Sequence, residues 1–166
     1  IRHPHVFGEV EVKDSGEVLN NWEAIKNKVK GTENFTETLK SVPAVFPALM
    51  RSEKIAHRAA KAGMCYPDVE GAFEDLENEV GELWESIEEG DRDHMEEELG
   101  DLLFSCTNVA EKLKLDAEQA LSRSCEKFIA RFEKVEQLAQ EQGIQMETAE
   151  LDTLNRLWKK AKEQLI

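Results

Sequence analysis

Leu76-Glu77-Asn78-Glu79-Val80-Gly81-Glu82-Leu83 lies over Met95-Glu96-Glu97-Glu98-Leu99-Gly100-Asp101-Leu102, with apolar, Glu, apolar, Gly, acid and apolar residues in the same order. At about 3.6 residues per turn each stretch reads as a helix. Phe73, Leu76, Val80, Leu83, Trp84 and Ile87 form one apolar stripe. Met95, Leu99, Leu102, Leu103, Cys106, Val109 and Leu113 form its counterpart, and Cys106 is expected in the core. Glu79 and Glu82 are three apart and share a face, as do Glu98 and Asp101. The 90–94 loop is short, which predicts an antiparallel hairpin that brings both acid pairs to one spot. Glycine inside a helix costs about 1 kcal/mol against alanine. Gly81 and Gly100 therefore suggest either a close backbone approach or tolerated surface positions.

The charge of the chain is gathered here. Residues 70–101 hold fifteen acids against one base, Arg92, and the net charge of the whole chain is also −14. A solvated acidic face normally interleaves lysine or arginine, and lysine is absent from 70–101. Two carboxylates ~6 Å apart repel by roughly 3 kcal/mol at an effective dielectric of 20. Converging acids must splay into water or hold a cation. Mg²⁺ suits such oxygen ligands and keeps several waters, which leaves room for phosphate oxygens. The pI near 4.8 disfavours nucleic-acid backbones and anionic membrane surfaces. No run of the sequence is long and apolar enough to span a membrane. Cys65, Cys106 and Cys125 form no CxxC and fit reduced thiols of a cytoplasmic protein. The histidines show no HExxH spacing, which argues against a histidine in catalysis.

Elsewhere the pattern is helical, so an all-α fold is expected. Helices are expected at 15–30, about 47–62, 69–89, 92–114, from Asp116 to about Gln142, and from Thr148 to the C-terminus. Pro43 and Pro47 make 31–46 a connector. Asp68 and Asp116 are expected N-caps, and Gly63 and Gly143 are expected stops. The domain division expected is 1–46 as linker and connecting helix from a preceding module, and 47–166 as a catalytic helical domain. Carboxylate-held metals commonly pair with cations that clamp a phosphate chain. Lys127 and Arg131 share a helical face, Lys162 follows Trp158, and Lys54 sits near Arg51 and Arg58. Each is either such a clamp or a surface cation, and Trp158 is either core or a platform for a base.

With these motifs in place, the chain resembles the MazG family of all-α nucleoside triphosphate pyrophosphohydrolases. Asn78-Glu79-Val80-Gly81-Glu82 and Glu98-Leu99-Gly100-Asp101 resemble its EExxE and ExxD motifs, and Glu126-Lys127-Phe128-Ile129-Ala130-Arg131-Phe132 is similar to its EKFxxRF stretch. The opening Arg2-His3-Pro4-His5-Val6-Phe7 resembles the join after the first of two modules, which implies a second module of a longer chain. The resemblance implies a helical bundle completed by a homodimer. It implies hydrolysis of nucleoside triphosphates between the α and β phosphates with Mg²⁺ or Mn²⁺. The implied metal ligands are Glu79, Glu82, Glu98 and Asp101. Lys127 and Arg131 would contact phosphates, and Trp158 and Lys162 the nucleotide. Glu97, or Glu98 itself, would orient or deprotonate the attacking water. Departures from the family pattern are Asn78 for the first Glu, Asp75 for a lysine, Cys125 for an asparagine and Gly63-Met64-Cys65-Tyr66 for Gly-Phe-Asp-Trp. They leave open a weakened copy that serves as a nucleotide-binding or dimerisation module. A dUTPase-like or phosphoribosyl-ATP pyrophosphohydrolase of the same architecture is also open.

Overall fold

A computed structural model describes residues 34–164, and every described regular element is helical. The expected helix at 15–30, and the expected join at residues 2–7, lie outside the described residues. Contacts divide the chain into two compact units, one ending at Lys114 and the other beginning at Leu115.

In the first unit α1 spans Phe35–Lys40, α2 Ala48–Lys61, α3 Val69–Glu89 and α4 Arg92–Lys112. α1 interrupts the expected connector. Asn34 caps it by accepting from the Glu37 amide at 2.9 Å, and six residues fit ahead of Pro43. Arg58 of α2 ties it down by donating to the Thr38 carbonyl and, at 2.8 Å, to Ser41 Oγ. α2 is one residue shorter at each end than expected. α3 matches its expected bounds, and Asp68 caps it by accepting from the Gly71 amide at 2.9 Å. The hairpin turn needs its glycine, because Gly90 sits at φ 75°, where a Cβ is strained. Asp91 then caps α4. That helix ends at Lys112 rather than 114, since Lys114 takes φ 58° and cannot continue it.

α3 packs along α4, α2 against α4 and α1 against α2. Small and polar side chains are what the hairpin buries: Ala72 and Ser86 on α3, and Glu98, Ser105, Thr107 and Val109 on α4. The predicted apolar stripes are only partly covered. Phe73, Val80, Trp84, Ile87, Leu99, Leu103 and Leu113 are all exposed. Cys106, expected in the core, is exposed with them. The two periodicities interleave, and the carboxylate face turns inward.

Gly81 and Gly100 show no close approach either, because a Cβ on each would meet nothing within 4 Å. The tolerated-surface alternative is the one observed. Gly100→Ala is therefore expected to stabilise the protein by about 1 kcal/mol through helix propensity. A urea unfolding curve reads this directly, and a loss of stability would reveal a neighbour against the helix.

In the second unit α5 spans Ala117–Glu141 and α6 Leu151–Gln164. Asp116 caps α5 by accepting from the Gln119 amide at 2.8 Å. Thr148 does not open the last helix. It closes a 3₁₀ turn, Met146–Thr148, and extended Ala149 separates that turn from α6. Val135, Leu138 and Ala139 of α5 bury against Leu157 and Ala161 of α6, with Ile144, Met146 and Trp158 packed around them.

Candidate metal centre

Three carboxylates meet in the α3–α4 hairpin. Glu79, Glu98 and Asp101 each present an oxygen, and these oxygens lie within 4.8 Å of one another. The helical register puts Glu98 and Asp101 one turn apart on α4, with Glu79 facing them from α3. Glu98 is buried, 8% exposed, although it is an acid. Glu98 Oε2 and Glu79 Oε2 are both shielded from solvent and have no hydrogen-bond partner among the described residues. An unpaired buried carboxylate oxygen is costly. Two of them side by side, with a third acid at hand, fit a hard divalent cation, whose preferred ligands are such oxygens.

The protonation of the site follows the same logic. Glu79 has its pKa raised, first by burial and then by the charges of Glu82, Asp75, Asp101 and Glu98. Glu82 itself is exposed and stands outside the convergent group, so the structure brings together three of the four expected ligands. Glu97 is also exposed and outside it.

One participant was not anticipated. His94 Nε2 lies 3.0 Å from Glu98 Oε1, and its Nδ1 lies 3.1 Å from Glu89 Oε2. The ring bridges the end of α3 to the buried acid. Its pKa is raised, first by the hydrogen bond to Glu89 and further by the charge of Glu98, against an opposing desolvation effect. His94 fixes one oxygen of Glu98 and leaves the other for a cation. The signal was its position four residues before Glu98, a neighbour on the same helical face.

Asp75, which departs from the family pattern, is also committed. It accepts from Ser105 Oγ at 2.5 Å. Burial first, then Asp75, pushes the Tyr66 phenol up to about 12.

Among the expected cations, Lys54 belongs to the first unit, where its Nζ lies 5.7 Å above the centre of the Phe46 ring. The others are in the second unit. Lys127 and Lys162 are exposed, and Arg131 is half-buried on the same helix as Lys127. Trp158 is half-buried, with its ring centre 4.9 Å from that of Phe128. It packs against the second unit's core, as the core alternative for this residue anticipated.

The family model of the MazG nucleotide pyrophosphohydrolase domain matches residues 69–136, which include the whole hairpin. A nucleoside triphosphate pyrophosphohydrolase of Escherichia coli (strain K12) is 36% identical over 169 residues, covering 99% of this chain and 64% of that protein. The nucleoside triphosphate pyrophosphohydrolase/pyrophosphatase MazG of Thermotoga maritima is 38% identical over 161 residues, covering 97% of this chain and 60% of that protein. The uncharacterized protein YabN of Bacillus subtilis is 39% identical over 163 residues, 98% of this chain and 33% of its own length. The chain thus spans less than two thirds of the length of each of these relatives. Its acidic hairpin lies inside the matched domain, its relatives align along nearly all of it, and the chain thus carries a MazG-family domain over residues 69–136.

Proposed function

We propose that this protein hydrolyses nucleoside triphosphates between the α and β phosphates, releasing a nucleoside monophosphate and pyrophosphate. The observation that carries this is the pair of unpartnered buried oxygens, on Glu79 and Glu98, inside a three-carboxylate cluster of the family domain. Glu79, Glu98 and Asp101 would hold Mg²⁺, or Mn²⁺ in the same oxygen-rich site, with Glu82 completing the set. The cation supplies Lewis-acid polarisation of phosphate oxygens. Glu97, beside Glu98 and open to solvent, takes a proton from the attacking water. The water oxygen bonds to phosphorus, the P–O bond of the α–β bridge breaks, and pyrophosphate leaves. Lys127, Arg131 and Lys54 offset the charge of the phosphate chain, and Trp158 and Lys162 contact the nucleotide. Residues 47–166 act as the catalytic domain, with 1–46 leading into it.

A second copy of the chain is the proposed cover for the exposed ridge of the hairpin. Val80 is 55% exposed and Trp84 62%, with Leu99 and Leu103 near half. Such a ridge on paired helices completes a bundle across a two-fold axis. Sedimentation is expected to show a dimer, and Leu103→Lys to shift it toward monomer; an unchanged monomer in both cases removes this proposal. No described helix is long and apolar enough to cross a membrane. The exposed free thiols suit a cytoplasmic location.

The direct test is a panel of nucleoside triphosphates incubated with Mg²⁺, with products resolved by anion exchange. Monophosphate and pyrophosphate are expected in equal amounts. Orthophosphate alone rejects the cleavage position, and nucleotide binding without product points to a binding module instead.

A further inference from the structure

His94 is held from two elements at once. Its Nδ1 lies 3.1 Å from Oε2 of Glu89, the last residue of α3, and its Nε2 lies 3.0 Å from Oε1 of Glu98, one turn along α4. An ionised carboxylate only accepts, so each contact uses a ring N–H. An ordinary pair four residues apart on a helix surface has one such contact and two mobile ends. Here the ring is tied at both nitrogens, and its two anchors stand on either side of the Gly90 turn. One anchor is also nearly enclosed: the Glu98 side chain is 10% exposed, against 63% for Glu89.

The two oxygens of Glu98 are therefore unequal. Oε1 faces the His94 ring, whereas Oε2 is shielded from solvent with no hydrogen-bond partner among the described residues. A carboxylate can meet a cation with one oxygen or with both. To offer both, Glu98 has to turn Oε1 away from the ring. That breaks a charge-assisted contact where little water is at hand to replace it. Glu98 is thus arranged to give a single oxygen.

That restriction treats hard cations differently. Mg²⁺ demands octahedral geometry, keeps several waters and is satisfied by single carboxylate oxygens. Ca²⁺ is larger, takes about six to eight oxygens and benefits from carboxylates that give two. We infer that His94 is a positioning residue that holds Glu98 to one metal-binding oxygen and so biases the centre toward Mg²⁺ and against Ca²⁺. The inference rests on the proposed cation site at Glu79, Glu98 and Asp101, and it adds what decides which ion that site prefers.

Calorimetric titration of the full chain with magnesium chloride and with calcium chloride, without nucleotide and at one neutral pH, tests this. The quantity read is the ratio of the Ca²⁺ Kd to the Mg²⁺ Kd. Removing a nearby positive group changes the field on both dications alike, so that effect cancels in the ratio. In His94→Ala the ratio is expected to fall about tenfold, the lower end of what losing the partner behind a metal ligand costs. His94→Gln should keep the ratio of the unaltered protein. Its amide nitrogen lies as many bonds from the backbone as the ring Nε2 and still donates. Asp91 caps α4 through backbone amides, that of His94 among them, and both variants keep it. Circular dichroism verifies that the helices persist.

An unchanged ratio in His94→Ala overturns the inference, and a lower Tm with that ratio intact makes the ring a structural brace only. A ratio that falls equally in both variants also overturns it, because the N–H donor would then not be what matters. Mg²⁺ binding with an unmoved ratio spares the cation site and sinks only the role of His94. Neither heat nor a thermal shift with either ion, in the unaltered protein, sinks the cation site itself and the inference with it.

Discussion

Glu98→Gln is expected to lower pyrophosphate release by about 10³-fold, the size of effect seen when one well-placed electrostatic partner of a transition state is lost. The reason is local. Glu98 is the most enclosed of the three acids, and its Oε2 has no partner among the described residues. An amide keeps the shape and can still meet His94, but it cannot supply an anionic oxygen to a cation. Helicity should be unchanged, because no helix cap involves Glu98 and its neighbours on α4 remain in place. The measurement pairs a product assay with circular dichroism. Full activity in a normally folded variant would take Glu98 out of the mechanism.

The second large effect is on stability. Saturating Mg²⁺ at 100 times its Kd should add about 2.7 kcal/mol, since the cation binds the folded state. This gain depends on pH with a definite sign. The pKa of Glu79 in the fold lies above its ordinary 4.5, chiefly through burial. The cation-free fold therefore holds that proton more tightly than the unfolded chain does. The stability this contributes is fully present below 4.5 and is lost as pH rises through the folded pKa of Glu79. The cation needs the ionised form, so its stabilising effect should grow across that same window. Glu79→Gln removes both behaviours. It should raise the cation-free Tm at neutral pH, because one of several mutually repelling charges is gone, and abolish the shift on adding Mg²⁺. Thermal melts at several pH values, with and without Mg²⁺, read both signs. A variant that still responds fully to Mg²⁺ would show that the cation sits elsewhere.

Much of this protein is written locally. α3 is bounded by Asp68 and Gly90, whose effects act within a turn of chain, and its span was legible residue for residue. The doubled acidic motif, the hairpin and the family resemblance were legible for the same reason, since all depend on spacing along one or two helices. Departures occurred where a backbone angle decided. Lys114 takes a left-handed φ, and Ala149 extends between Thr148 and α6. Neither residue type announces that conformation.

Helical periodicity says which residues share a face, but not how far that face is rotated toward its neighbour. The rotation of α3 against α4 was thus set by tertiary packing. It put Ser86, Ser105 and Thr107 inside and left Val80, Trp84, Leu99 and Leu103 outside. It drew Glu79, Glu98 and Asp101 together while Glu82, one turn from Glu79, stayed in solvent. It also seated His94 between Glu89 and Glu98. The sequence by itself determined that acids would line one side of a helical hairpin. Only the packed structure decided which of them lost their water, and that loss of solvation makes a carboxylate ready for a cation.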